Sequence, residues 1–227
     1  MTETLLILLF WAAFTFTHIV LCTDMVKPRL VALMGALPFQ GFYTLISFAT
    51  MVPIFLVYFN GGRHVGPELY SPPTALRLVA MAIMGLAMLL LAGGVATPAP
   101  SAFIGPKAPF ARGVTRVTRH PISAAFFLIG LAHILVNGSA SDLAFFGGFC
   151  VFSVLATRHQ DARKVRSLEG YASFKEATSF LPFAAILVRK QPLSAAMREW
   201  PWPAFALGAA AFVTLYMFHG TLFGVAL

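Results

Sequence analysis

Residues 78–96, LVAMAIMGLAMLLLAGGVA, form an unbroken apolar stretch without Asp, Glu, Lys or Arg. A helix that crosses the hydrocarbon core of a membrane needs roughly 20 such residues. Three more charge-free stretches of comparable length lie at residues 4–22, 42–59 and 204–227. The sequence therefore predicts membrane-spanning helices over about 4–22, 42–59, 78–96 and 204–225.

A fifth and a sixth helix are predicted between residues 121 and 157. The only charge in this region is Asp142, which lies in the turn-like run NGSASD at 137–142. We interpret the region as a helical hairpin with arms at about 121–136 and 143–157. The predicted fold class is thus all-α, a polytopic transmembrane bundle of about six helices. A β-barrel is excluded because the apolar stretches do not alternate.

The composition supports a membrane protein. Hydrophobic residues make up 59% of the 227 residues and charged residues 11%, and the mean hydropathy is +0.81. These values exclude an ordinary soluble domain, in which about a quarter of residues are charged, and they exclude intrinsic disorder. The chain has 16 Lys and Arg against 8 Asp and Glu. In a membrane protein this excess indicates orientation, so no nucleic-acid partner is expected.

The basic residues concentrate in alternate loops of the predicted bundle. With the N-terminus outside, the inner loops 23–41, 97–120 and 158–203 hold 14 of the 16 basic residues, and the outer side holds Arg63 and Arg77. The inner set comprises Lys27, Arg29, Lys107, Arg112, Arg116, Arg119 and eight residues of the last loop. The positive-inside rule therefore predicts that both termini lie outside.

The loop 158–203 is the only long polar segment, and the chain 1–227 forms a single membrane domain. Within the loop Leu168, Tyr171 and Phe174 recur at every third position. We expect a short amphipathic helix lying on the cytoplasmic leaflet, with its basic neighbours among anionic lipid headgroups.

Histidines are the ionisable groups that the predicted spans retain. His18, His133 and His219 lie inside apolar helices and His120 begins one, whereas no carboxylate falls within a predicted span. Ionisable groups inside a membrane are costly and therefore informative. A neutral imidazole can hydrogen-bond across helices, and it can also bind iron. Because several histidines lie on different helices, we favour a haem held within the bundle.

A buried haem needs cations near its propionates. Arg116, Arg119 and Arg158 lie at the inner mouth of the fourth and fifth predicted helices. The positive-inside rule alone also accounts for them. The chain has no CxxCH motif, so covalent attachment of a c-type haem is excluded.

The Arg-His-Pro segment 119–121, at the entry of a helix, favours a second chemistry. It resembles a segment of membrane methyltransferases of the isoprenylcysteine type. Those enzymes place a later acidic and aromatic loop near the methyl donor, and Glu169, Tyr171 and Phe174 would form that loop here.

Several motifs occur in one order along the chain. They are Thr17-His18, GVTRVTRHP at 113–121, GLAHILVNG at 130–138, DARK at 161–164, YASF at 171–174, TSFLPFAAIL at 178–187 and FHG at 218–220. Together they resemble the NnrU family of membrane proteins, which includes the 15-cis-zeta-carotene isomerases. The resemblance covers nearly the whole chain and is weakest over 42–96.

The resemblance implies a multi-pass protein of the bacterial inner membrane, linked to nitric oxide and denitrification metabolism. It also implies haem b as the cofactor, with His18 and His133 as iron ligands and His120 lining the same pocket. An alternative is a haem-dependent cis–trans isomerase of a carotenoid, which would bind an apolar polyene. A non-enzymatic alternative is an assembly or regulatory partner of a larger membrane complex. The isomerases carry a cysteine where this chain has Gly130, so a thiolate ligand switch is not expected.

Depth in the membrane favours a different pair of histidines. His133 lies 13 residues beyond His120, which is roughly 20 Å along a helix. His18 lies near the inner end of the first predicted helix, so depth alone pairs it with His120. The resemblance pairs it with His133, and both pairings stay open.

Overall fold

The fold was determined from a computed structural model, which describes residues 1–102 and 109–224. Lys107 and the last residue of the predicted helix 204–225 lie outside the described residues. The described helices are α1 (Thr2–Val20), α2 (Lys27–Met34), α3 (Ala36–Val57), α4 (Leu76–Ala96), α5 (Val114–Val117), α6 (Pro121–Ile134), α7 (Ala140–Ser167), α8 (Tyr171–Ala177), α9 (Ala184–Leu187), α10 (Leu193–Arg198) and α11 (Trp202–Phe223).

Five of the described helices are long and apolar enough to cross a membrane. They are α1, α3 together with the π turn Tyr58–Gly62, α4, α7 and α11. The remaining helix of the predicted bundle, α6, has 14 residues and is therefore about 21 Å long. The prediction of an all-α polytopic bundle is confirmed, and the placement of the termini stays a prediction.

Helix α7 differs most from its predicted bounds. It has 28 residues and is roughly 42 Å long, which exceeds the hydrocarbon thickness of roughly 30 Å. Basic residues begin at Arg158, yet α7 continues to Ser167, and the long loop begins only at Leu168. The helix also carries the buried carboxylates Asp142 and Asp161. Both carboxylates lie outside the predicted arms 121–136 and 143–157 but within the longer helix that the structure describes.

Two buried clusters form the core of the described residues. The first joins α1, α3 and α7 through mostly aromatic side chains, namely Ile7, Trp11, Phe14, Ile54, Tyr58, Ala144, Phe145 and Phe146. The second joins α4 and α6 to α5 and α10, through Ala87, Leu90, Val114, Val117, Ala124, Ala125, Leu128, Ala196 and Trp200. Helix α11 packs against α4. The intramembrane histidines lie along the first cluster and its extensions.

The amphipathic helix predicted in the last long loop forms as α8, but it does not present its aromatic side chains to lipid. Tyr171 is 0% exposed and Phe174 is 3% exposed. The Tyr171 hydroxyl donates a 2.7 Å hydrogen bond to Asp161 of α7. Helix α8 is therefore held against the protein, because its tyrosine satisfies a buried carboxylate.

Candidate functional site

Helices α1 and α7 run in the same direction, and their contacts fix which residues share a level. The Trp11 indole donates to the carbonyl of Phe145 over 3.0 Å, and Phe14 lies against Phe152 with ring centroids 4.7 Å apart. Further along, Arg163 donates to the carbonyl of Cys22 over 3.4 Å. The end of α1 that carries His18 therefore lies beside the end of α7 that carries its charges.

His18 lies in an aromatic pocket with one ring nitrogen unused. Its Nε2 is 2.6 Å from the hydroxyl of Tyr43 on α3. The ring centroids of Phe14 and Phe152 are 5.2 and 5.1 Å from that of His18. Its Nδ1 is buried and has no hydrogen-bond partner. In the tautomer in which Nε2 donates to Tyr43, Nδ1 has a free lone pair that can bind a metal ion.

A second histidine near His18 carries the same feature. The Nε2 atom of His159 on α7 is buried and has no hydrogen-bond partner. Sequence reasoning placed His159 at the start of a loop and gave it no role. Helix α7 continues to Ser167, so His159 instead lies on a helix beside α1.

His133 lies at a different level of the bundle. Its ring stacks on that of Phe146, with centroids 4.2 Å apart and planes inclined by 13°. Its Nδ1 is 2.8 Å from the carbonyl oxygen of Ile129, one turn earlier in α6. Such a bond leaves Nε2 as the ring nitrogen with a lone pair. His133 also interacts electrostatically with His219 of α11.

The described contacts do not bring His18 and His133 together. His18 contacts Phe152 and His133 contacts Phe146, and these two residues of α7 are six positions apart, or about 9 Å along the axis. In addition, α1 packs on α3 and α7, whereas α6 packs on α4 and α7. Iron ligation by both histidines stays a prediction, and it requires the helices to shift relative to the structure described.

His120 belongs to a separate buried network, which we call the Asp161 cluster (Arg119, His120, Asp161 and Tyr171). The two oxygens of Asp161 lie 2.7 Å from His120 Nε2 and 2.9 Å from Arg119 Nε. Ser101 lies 3.1 Å from the other nitrogen of His120. Since both ring nitrogens of His120 are engaged, the network in this form leaves none for iron.

The Asp161 cluster joins the Arg-His-Pro segment 119–121 to Tyr171 of the later acidic and aromatic loop. These are the two segments that resemble the membrane methyltransferases. The backbone N–H of Arg119 donates to the carbonyl of Ser179 over 2.8 Å, and the Thr118 hydroxyl donates to the carbonyl of Phe180 over 2.7 Å. Burial, and then the Asp161 carboxylate, raise the pKa of the Tyr171 hydroxyl, which keeps it protonated as a donor. Glu169 is exposed. Methyl transfer at this junction stays a prediction.

The three arginines expected near haem propionates have separate positions. Arg116 forms a bidentate pair with Glu199, at 2.9 and 2.8 Å, and its hydrogen bonds lower the pKa of that carboxyl below its ordinary value. Arg119 is paired with Asp161. Arg158 is exposed on α7. Arg116 and Arg119 therefore already have carboxylate partners within the protein.

A second buried carboxylate lies at the opposite end of α7. Asp142 is 1% exposed and accepts hydrogen bonds from Tyr58, at 2.7 Å, and Ser139, at 2.6 Å. His64 Nδ1 lies 2.8 Å from Oδ2 of Asp142, the oxygen that also accepts from Ser139. This network holds the loop after α3 against the start of α7. The hydrogen bonds also explain why a buried carboxylate is stable at this position.

Across residues 1–102 and 109–224, no group of three or more His, Cys, Asp or Glu side chains is placed to hold a metal. A haem supplies four of its own nitrogen ligands, so one or two imidazoles suffice. His18 can supply such a nitrogen because its Nδ1 is buried without a partner.

The bundle with its internal imidazoles defines the class of the protein as an all-α polytopic membrane protein. A family model described as NnrU protein matches residues 5–227. The chain therefore belongs to the NnrU family, as the ordered motifs indicate. Comparison with the curated proteins and with the solved structures gives no match.

Proposed function

We propose that this protein binds haem b inside the bundle, with His18 as an axial ligand, and that it serves nitric oxide or denitrification metabolism in the bacterial inner membrane. The observation that carries the proposal is the buried Nδ1 of His18, which has no partner in its aromatic pocket. Fewer than about one in ten buried polar groups lack a partner in folded proteins. The metabolic role follows from the family and not from the geometry.

The residues around His18 have defined tasks in this proposal. Tyr43 fixes the orientation of the imidazole through its 2.6 Å contact with Nε2, as outer-shell partners of metal ligands do. Phe14 and Phe152 provide an apolar wall. A haem iron with an exchangeable axial position can bind nitric oxide or act as a Lewis acid on a polyene.

The test is an absorption spectrum of protein purified from cells supplied with haem. We expect a Soret band in the wild type and its loss in His18→Ala, because the variant lacks the axial nitrogen. His219→Ala, on α11, is the matched control and should retain the band. A wild type without a Soret band contradicts haem binding, and full haem content in His18→Ala removes the ligand assignment.

A second candidate function is the isomerisation of a carotenoid, which is favoured by a groove between α1 and α7. The groove has a volume of about 600 Å³ and is lined almost wholly by apolar side chains, among them Leu8, Trp11, Ile19, Leu143, Val151 and Leu155. An apolar polyene fits such a lining. Incubation with a poly-cis carotene, followed by chromatography, should reveal an isomer shift that His18→Ala lacks. An unchanged isomer ratio in the wild type counts against this function.

A further inference from the structure

A cavity lies at the end of the bundle where α4 ends and the basic segment before α5 begins. It has a volume of about 470 Å³, and its lining includes Ala96, Thr97, Phe110, Arg112, Arg116 and Glu199. None of its lining residues belongs to the pocket around His18. What binds in this cavity is therefore a question separate from the proposed haem.

The surroundings of the cavity indicate the level at which the hydrocarbon meets water. The charge-free stretch 78–96 ends at Ala96, which lines the cavity. The chain entering α11 lies against the same end of α4, since a Cβ atom at Gly93 would be 3.9 Å from the ring of Trp200. Trp202, the first residue of α11, is 49% exposed, and exposed tryptophans are enriched at the membrane–water interface. A ligand in the cavity can therefore reach both lipid and water.

Hydrogen bonds fix the wall of the cavity that carries Arg112. The N–H of Arg112 donates to the Thr115 hydroxyl over 2.9 Å, and that hydroxyl donates to the carbonyl of Arg112 over 2.8 Å. The N–H of Gly113 donates to the Glu199 carboxylate over 2.8 Å. Gly113 has a positive φ of 50°, and a Cβ atom there would lie 2.8 Å from the carbonyl oxygen of Glu199. The backbone of this wall is thus held closely against the end of α10.

The side chain of Arg112, in contrast, has no anionic partner. Its guanidinium lies 5.7 Å from the ring centroid of Phe110. Within residues 1–102 and 109–224 it forms no carboxylate ion pair, whereas Arg116 is neutralised by Glu199. The lining therefore carries one uncompensated positive charge, and the exposed Arg198 adds a second beside it. Guanidinium groups bind phosphate oxygens well, because their donors match the geometry of the phosphate.

We propose that this cavity binds the headgroup of an anionic glycerophospholipid, with the phosphate on Arg112 and the acyl chains along the exposed end of α4. Val95, next to the lining residue Ala96, is 66% exposed and offers an apolar surface for a chain. Basic pockets between helices on the cytoplasmic side of a membrane suit such headgroups. The excess of positive charge selects a lipid with net negative charge over a zwitterionic one.

The test is native mass spectrometry of the full-length protein in mild detergent, titrated with phosphatidylglycerol and separately with phosphatidylcholine. We expect the wild type to retain a single phosphatidylglycerol more tightly than phosphatidylcholine. Arg112→Gln should weaken the binding of phosphatidylglycerol about fivefold, the effect of one basic residue at an anionic surface. The matched control is Arg158→Gln, which removes an exposed charge of α7 and should leave the affinity unchanged.

A second variant separates the cavity from its charge. Ala96→Trp fills the cavity without altering any charge and should also weaken the binding of phosphatidylglycerol. Unchanged affinity in Arg112→Gln, or the same loss in Arg112→Gln and Arg158→Gln, would overturn the assignment of the phosphate to Arg112. Equal affinity for the two lipids would overturn the choice of an anionic headgroup. Displacement of the lipid by soluble glycerol 3-phosphate would show a site for a free phosphate compound and overturn the lipid as its occupant.

Discussion

Asp161 is a buried carboxylate whose partners come from two separate parts of the chain. It is 4% exposed and accepts hydrogen bonds from Arg119, His120 and Tyr171. A buried charge is stable only while its partners stay in place, since removing one partner leaves the charge uncompensated. Asp161 therefore couples the segment before α6 to α8, and this coupling makes it the residue most sensitive to substitution in that region.

Replacing Asp161 by Asn should destabilise the protein by about 3–5 kcal/mol, because Arg119 and His120 lose their common anion. Tyr171→Phe, which removes one hydrogen bond to a charged group, should cost about 1.5–3 kcal/mol. The measurement is thermal unfolding in detergent, together with limited proteolysis of the segment after Leu168.

The matched control is Asp24→Asn. Asp24 pairs with Arg166 in an exposed ion pair, whose side chains are 52% and 59% exposed, and exposed pairs contribute about 0–1 kcal/mol. Equal destabilisation by Asp24→Asn and Asp161→Asn would contradict the role of burial.

Some of these residues were recognisable in the sequence and others were not. His18 and His120 stood out because imidazoles are rare within apolar stretches. Asp161 did not, because its neighbours are basic and the residue looked solvated. Its signal was indirect, since the buried Arg119 and His120 require an anion from elsewhere. His159 was missed because the charge at Arg158 was interpreted as the end of a helix.

At the scale of elements, α6 and α7 approach closely at Gly130. A Cβ atom at this position would lie 2.5 Å from the carbonyl oxygen of Phe146 and 2.9 Å from Cys150 Sγ. The first of these neighbours is backbone and cannot move aside without displacing α7. The cysteine of the isomerases at the matching position thus has no space in this chain, and the helix pair depends on glycine.

Gly130→Ala should destabilise the protein by about 1–3 kcal/mol through overpacking between α6 and α7. Gly147→Ala is the matched control on α7, because a Cβ there meets nothing within 4 Å, and alanine favours a helix by up to about 1 kcal/mol. Both are compared by thermal unfolding in the same detergent. A Gly130→Ala protein as stable as Gly147→Ala would show that the helices can separate at no cost.

The bounds of a helix could be predicted from the sequence where the charge-free stretch and the helix end at the same residues. The prediction for α4 differs from its observed start by two residues, because charge-free sequence and helix coincide there. For α7 the end of the charge-free sequence and the end of the helix do not coincide. The stretch Thr157–Arg166 is charged, but its residues also favour a helix. Charge marks the edge of the hydrocarbon, whereas α7 ends where the backbone becomes extended at Leu168, with a φ of −131°.

At the scale of the whole molecule, an apolar surface on the long helices is separate from the charged residues, most of which lie beyond the helix ends. The helices long enough to span a membrane expose large apolar side chains, among them Leu9, Phe16, Leu45, Leu78, Leu207 and Met217. Most of the charge lies beyond the ends of these helices. The composition predicted this division, but the packing of α1 beside α7 required the structure, because no periodic pattern indicates which helices are neighbours.

The orientation predicted from the basic loops can be tested with single cysteines, after Cys22 and Cys150 are replaced by alanine. Glu3→Cys and Leu69→Cys should react with a membrane-impermeant maleimide in intact cells, whereas Glu176→Cys should react only after lysis. All three side chains are accessible, since each residue is exposed or half-buried. The reverse labelling pattern would place the termini in the cytoplasm and contradict the positive-inside assignment.

The central claim is that the bundle holds a haem b with His18 as an axial ligand. Its most direct test is a pyridine haemochrome assay on the wild-type protein, purified in mild detergent from cells supplied with a haem precursor. We expect a b-type spectrum with haem close to stoichiometric with the chain, and a loss of that haem in the His18→Ala variant. A folded wild-type protein without b-type haem would contradict the claim.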